Sequence, residues 1–254
     1  MEYRSPSTGR PIRAVLFDTF GTVVDWRTGI ARVVATFAQR HGIDIDATAF
    51  AVAWRAQYQP AMERVRSGAR AYVSLDILHR ENVDVALRHA GFDAGDFSGD
   101  ALDELARSWR LLPPWPDSVA GIASVRSDFI VGPLSNANTS LLVEMARFAG
   151  LSWDVVLGSD VSRAYKPDPA AYRAPAALLG LDVGEVMLVA AHNSDLAAAR
   201  LVGMATGFVA RPFEHGPGQT VDLTPAADWD VSTSSITELA GLLGCAVQLP
   251  RTVT

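Results

Sequence analysis

The stretch Ile12-Arg13-Ala14-Val15-Leu16-Phe17-Asp18-Thr19-Phe20-Gly21-Thr22 decides how this chain is read. A short apolar run with β-forming residues ends in a single carboxylate, Asp18, and Gly21 then lets the backbone turn tightly. In open α/β sheets ligands bind where strands end, so a carboxylate delivered there faces a ligand instead of a packed core. Two places after Asp18 the chain has Phe20, not a second acid.

Outward from this stretch, the runs Phe129-Ile130-Val131, Val155-Val156-Leu157, Val186 to Ala190 and Thr206 to Ala210 predict further strands. Helical patterns lie between the later ones, over 139–149, 169–179 and 194–202. Asp168-Pro169 offers an N-cap and first-turn pair, and Gly203 follows the last of these helices. Strands alternating with helices through short connections predict an α/β fold, a doubly wound parallel sheet covered on both faces. Residues 26 to 112 read differently. They show helical patterns over 29–40, 47–66, 74–89 and 100–111 and no convincing strand, until Pro113-Pro114-Trp115-Pro116 ends the run. The expected organisation is a discontinuous α/β core, 12–25 and 113–250, with an inserted all-helical cap domain at 26–112.

The bulk properties narrow the class. The 254 residues are 49% apolar, ample for a core, and the net charge of −6 without a basic cluster argues against a nucleic-acid partner. No stretch approaches the ~20 apolar residues that span a bilayer, so no membrane partner is expected. Residues 1–11 are polar and turn-rich, without the apolar run of a signal peptide. A single cysteine, Cys245, read as a core residue of an apolar C-terminal helix, excludes an internal disulfide and fits a reducing cytoplasm. His41, His79, His89 and His215 show no metal-ligand spacing, and no dinucleotide or P-loop glycine pattern occurs. Neither a metal nor a cofactor is expected.

Four motifs stand in order: Asp18-Thr19-Phe20-Gly21-Thr22, Ser135-Asn136, Lys166-Pro167-Asp168 and His192-Asn193-Ser194-Asp195. This ordered set, with a helical insert between the first two, resembles the haloacid dehalogenase superfamily. Over nearly its whole length the chain is similar to the 2-haloacid dehalogenase branch. The resemblance implies that Asp18 is a nucleophile that forms a covalent ester, with its carboxylate held by Thr22 and Lys166. It gives Asp195 the task of holding Lys166 or orienting a water. Ser135 and the backbone N–H groups of Thr19 and Phe20 would bind the substrate's acid group. Arg55, in the pair Trp54-Arg55, and Asn136 would solvate the leaving halide, with Tyr172 in the site wall and Asn193 among the substrate-binding residues. A homodimer acting on a small halogenated carboxylate, with water as second reactant, is also implied.

Two departures sharpen the expected chemistry. Phosphatases of the superfamily resemble one another in carrying an aspartate where Phe20 stands, to protonate the departing alkoxide. A halide leaves as a stable anion and needs only solvation, and Phe20 can do no acid–base work. Where those phosphatases place a metal-binding aspartate, this chain has His192, a poor ligand for magnesium, which prefers hard oxygens. No magnesium dependence and negligible phosphatase activity are expected. Many relatives read Ser-Ser-Asn-x-x-Asp at the last motif, against Ala190-Ala191-His192-Asn193-Ser194-Asp195 here. His192 could activate the water that cleaves the ester, donate to a halide, or satisfy a backbone carbonyl. The expected reaction is hydrolysis of small 2-haloalkanoic acids to 2-hydroxy acids, with fluoroacetate worth testing. A phosphatase with an atypical metal site and a non-catalytic binding protein stay open as alternatives.

Overall fold

Ala14–Phe17 form strand β1, and all four residues are fully buried, which is why this run is continuously apolar. In the computed structural model, which describes residues 2–246, the chain then enters helices α1 (Trp26–His41), α2 (Ala47–Ala56), α3 (Tyr58–Arg66), α4 (Leu75–His89) and α5 (Gly99–Ala106). Helix α6 (Ser118–Val125) leads to strand β2 (Ile130–Pro133). Alternation follows: α7 (Thr139–Ala149), α8 (Ser159–Ser162), α9 (Pro169–Leu178), β3 (Val186–Ala190), α10 (Asn193–Leu201), β4 (Ala205–Val209), β5 (Val231–Thr233) and α11 (Ile236–Leu242).

The five strands lie in the order β2-β1-β3-β4-β5 and every pairing is parallel, with Phe17 opposite Pro133 on one side and Val189 on the other. Period-two alternation splits the strand side chains between two clusters. Val15, Phe17, Met187, Val189 and Val209 join the face that also holds Trp26, Trp54 and Leu78 from the helices following β1. Ala14, Leu16, Leu188, Ala190 and Phe208 pack on the other face against Tyr172 and Ala176 of α9 and Leu196 of α10. The sheet is therefore covered on both faces, as the strand–helix alternation predicts.

Three expectations need correcting. Val155-Val156-Leu157 is not a strand. It runs along β2, but the Asp154 carboxylate takes the Val131 N–H at 3.1 Å, and only Leu157 bridges to Leu134. The helix expected over 47–66 is two helices that meet at Gln57. Pro60 is the cause: in one continuous helix its ring would collide with the Ala56 carbonyl, so the chain restarts with the proline in a first turn. Cys245 is buried as expected, but it lies beyond the end of α11 at Leu242. Residues 247–250 of the expected core lie outside the described residues.

Candidate active site

Four neighbouring strands release their chains at the same edge of the sheet, and each delivers one part of the site. Asp18 follows β1, Ser135 and Asn136 follow β2, His192 follows β3, and Glu214 lies in the loop after β4. Lys166 arrives on the segment just before α9. Asp18, Asn136, His192, Glu214 and Lys166 border one cavity of about 560 Å³ whose walls also include Phe20, Arg55, Tyr58, Gln59 and Tyr172.

Asp18 is almost fully buried, and both of its carboxylate oxygens are engaged. Lys166 Nζ donates to Oδ1 at 3.1 Å and to Asp195 Oδ2 at 2.6 Å. The Tyr172 hydroxyl donates to the other Asp195 oxygen at 2.7 Å, so the lysine sits on an anchored carboxylate. On the far side, Thr22 Oγ1 donates to Asp18 Oδ2 at 2.8 Å and accepts the Ala191 N–H at 2.9 Å. His192 Nδ1 meets the same Oδ2 at 3.1 Å, while its Nε2 meets Glu214 Oε2 at 2.9 Å. Glu214 is itself fixed by Trp26 Nε1, which donates to Oε1 at 3.0 Å.

The electrostatics follow from this arrangement. Burial pushes the Asp18 pKa up, but Lys166 and then the His192 hydrogen bond outweigh it and hold the carboxyl well below the usual range. Burial also disfavours charge on Lys166, and Asp18 and Asp195 reverse that, raising its pKa. For His192, burial acts against the proton, yet Glu214 and the Asp18 contact raise its pKa well above the ordinary value. The ring is therefore an imidazolium at neutral pH, donating from both nitrogens. Three carboxylates, Asp18, Asp195 and Glu214, are matched by three cations, Lys166, His192 and Arg55.

Gly21 has φ +85°, the left-handed turn that its place after Asp18 suggests. It also meets a second demand. A Cβ on Gly21 would overlap the Glu214 carboxylate. Arg211 holds the following loop in place, donating from Nε to the Thr22 carbonyl at 2.9 Å and pairing with Asp117 at 2.8 Å.

The wall opposite the strand ends is aromatic. Phe20 packs edge-on against Tyr58, His79 and Trp109. The Arg55 guanidinium lies 4.0 Å from the centre of the Tyr58 ring, 5.4 Å from Trp26 and 5.6 Å from Phe20. Its buried Nη1 has no hydrogen-bond partner among the described residues, and neither ring nitrogen of His79 has one. Burial, and then Arg55, lower the His79 pKa well below the ordinary value, so this ring is neutral.

Asp18, Thr22, Lys166, Asp195, His192 and Tyr172 are thus joined in one network, with Phe20, Arg55 and Asn136 on the same cavity. Asn136 Oδ1 accepts the Lys166 N–H at 2.7 Å, which fixes the amide. Thr19 is buried beside Asp18, with its hydroxyl unpartnered among the described residues. Ser135 stands at the neighbouring strand end, but its Oγ accepts the Ala137 N–H at 3.2 Å and it borders a small separate cavity behind α8 and α9. Asn193 is turned away from the site. Its side chain bonds Asp222, the Thr224 carbonyl, the Ala226 N–H and Trp229, tying down the loop before β5. Glu214 and Tyr58 do not appear in the four motifs. Glu214 carries the signal that singled out Asp18, an acid shortly after a β-run, but at a distance of several loop residues.

The donor set is unsuited to a magnesium ion. Asp18 is bracketed by two cationic nitrogens, and the side chain two residues later is a phenyl ring. Among the described residues, no group of three or more His, Cys, Asp or Glu side chains is placed to hold a metal, and no helix is long and apolar enough to cross a membrane.

A buried aspartate braced on both oxygens thus stands where an apolar strand ends, on the wall of the cavity. A family model for haloacid dehalogenase-like hydrolases matches residues 12–203, and the chain belongs to that family. The crystal structure of the defluorinating L-2-haloacid dehalogenase Rha0230 superposes with a TM-score of 0.95 at 59% identity, covering 96% of this chain and 100% of that one. The L-2-haloacid dehalogenase PA0810 follows at 41% identity and a TM-score of 0.88, covering 92% of this chain and 99% of its own. The (S)-2-haloacid dehalogenase of Pseudomonas sp. (strain YL) is 28% identical over 230 residues, 87% of this chain and 91% of that protein.

Proposed function

We propose that this chain hydrolyses the carbon–halogen bond of small 2-haloalkanoic acids, including haloacetates, to give 2-hydroxy acids through an ester of Asp18. The observation that carries the reading is a buried, ionised carboxylate at a strand end, braced by Lys166 and His192, with a phenyl ring where acid catalysis would need a proton. In the first step an Asp18 oxygen attacks C2 on the face opposite the halogen. The C–O bond forms, the C–X bond breaks, and the halide departs with the bonding pair and inverts a chiral centre. Arg55 and Asn136 solvate it from the aromatic side. The backbone N–H groups of Thr19 and Phe20, with the proton left on Ser135 Oγ, take the substrate carboxylate.

Esterification removes one of the two anions beside His192. The ring then loses part of what raises its pKa, gives up a proton to solvent and becomes a base held by Glu214. Water adds to the Asp18 carbonyl carbon as His192 takes its proton. Whichever Asp18 oxygen carries the ester, the other becomes an oxyanion with a donor already on it, Lys166 on Oδ1 or Thr22 on Oδ2, and the ester C–O bond then breaks and the hydroxy acid leaves with that proton. Asp18, left as an acid with one oxygen from water, passes its proton to His192, which restores both the carboxylate and the imidazolium. Residues 26–112 serve in this scheme as a helical cap over the strand ends, and the working form is a cytoplasmic homodimer, which size-exclusion chromatography with light scattering would test.

The reading is tested by single turnover in ¹⁸O-water followed by mass spectrometry of the Asp18 peptide. Label in Asp18 is expected; label passing directly to product would sink the covalent route. Halide release is expected to survive EDTA, and turnover of phosphate esters with magnesium in its place would restore the phosphatase alternative.

A further inference from the structure

We propose that the Tyr58 hydroxyl is a third hydrogen-bond donor to the departing halide, and that it favours fluoride over the larger halides. The inference rests on the dehalogenase reading and deepens it. It begins with the helix break at Gln57, which Pro60 imposes: Tyr58 opens α3 on the cavity wall, directly beneath the Arg55 guanidinium. The residue is only 6% exposed, and its ring is clamped between Arg55, the edge of Phe20 and the His79 ring.

The hydrogen-bond order around it is set from the strand side. The Lys166 N–H donates to Asn136 Oδ1, so this amide has only its Nδ2 hydrogens to offer the neighbouring Tyr58 hydroxyl. Nδ2 can only donate, so the phenol oxygen accepts. The phenol proton is then free to be given to something else. Burial, the leading influence on Tyr58, raises its pKa and keeps the group a phenol. Asn136 and Arg55 line the same cavity, and the Arg55 guanidinium stacks on the Tyr58 ring at 4.0 Å. Three side chains that carry hydrogen-bond donors thus line the cavity together.

During displacement the C–X bond breaks toward these side chains and the halide keeps the electron pair. Tyr58 retains its proton throughout, because a phenol is a far weaker acid than any hydrogen halide. Its contribution is a hydrogen bond that strengthens as negative charge develops. Fluoride concentrates that charge in the smallest volume, accepts hydrogen bonds most strongly and leaves least readily. Loss of one donor therefore falls hardest on it.

The experiment compares kcat and kcat/KM for fluoroacetate, chloroacetate and bromoacetate in the wild type and Tyr58→Phe. This variant keeps the ring beneath Arg55 and removes only the hydroxyl. Fluoride release is expected to fall roughly 100-fold, in kcat more than in KM, and bromide release by less than about 10-fold. An equal fall for all three halides, or no fall, overturns the proposal. A thermal melt shows whether Tyr58→Phe is folded. If it is not, Tyr58→His, which moves the donor away from the phenol position, carries the test: a fall in fluoride release much larger than that in bromide release supports the proposal, and an equal fall or no fall overturns it. A wild type that releases bromide but no fluoride removes the Tyr58 inference alone, whereas no release of any halide removes the dehalogenase reading with it.

Discussion

The two sides of the cavity satisfy their polar groups in opposite ways. On the strand-end side Lys166 meets two carboxylates, His192 bridges two more contacts, and Glu214 and Asp195 are each anchored by an aromatic residue. On the helical side Arg55 rests on rings, with Nη1 unpartnered, and the His79 nitrogens and Trp109 Nε1 are likewise unpartnered among the described residues. Leaving a buried donor unsatisfied costs about 1–3 kcal/mol, so the contrast is not free. It separates charge that is always present from charge that arrives. The carboxylate side is already fixed, and in the proposed mechanism the aromatic side holds donors for an anion that exists only once a bond has broken.

The largest break in this comparison is Asp18→Asn, which removes the proposed nucleophile and leaves Lys166 and His192 without their shared carboxylate. Halide release, followed by ion chromatography, is expected to fall roughly 10⁴-fold or more. Arg55→Lys probes the other side. It keeps the charge but loses the planar fork that stacks on Tyr58, and kcat is expected to drop about 100-fold with a smaller change in KM. A change confined to KM would instead assign Arg55 to the substrate carboxylate.

Glu214→Gln sharpens the comparison through pH. Glu214 raises the His192 pKa, so its neutralisation lowers that pKa. In the proposed mechanism the neutral ring is the base, and the rising limb of rate against pH should therefore move to lower pH. The weaker base should cut the plateau by roughly 10-fold. A limb that stays in place would mean that another group activates the water. The smallest effect is expected from Tyr172→Phe, which removes one bond to Asp195. About 1 kcal/mol of stability in denaturant unfolding and a few-fold loss in rate are expected.

Much of this arrangement is legible in the chain because it is local. Val15 to Phe17 and Val186 to Ala190 announce buried strands by unbroken apolarity, and the residues that follow them are delivered to the site by connectivity alone. Asp168-Pro169 marks the start of α9 for the same reason. The illegible parts depend on partners far away in sequence. Val155 to Val156 has the composition of a strand, but Asp154 competes for the β2 edge. Pro60 lies inside a run whose apolar spacing reads as one helix, and that its break turns Tyr58 to the cavity follows only from where α2 and α3 pack. Asn193 shares a motif with His192 and Asp195, but the loop from Asp222 to Trp229 claims its side chain. Glu214 lies 22 residues from His192 and resembles any other loop acid until the strands are aligned.

Gly21 carries a consequence for the lineage of such sites. The room that Glu214 occupies is the room a side-chain carbon at position 21 would need. A chain that acquires a larger residue at 21 would have to bend the Glu214 carboxylate away from His192 and Trp26, so wherever an acid serves at 214 the glycine at 21 should be retained.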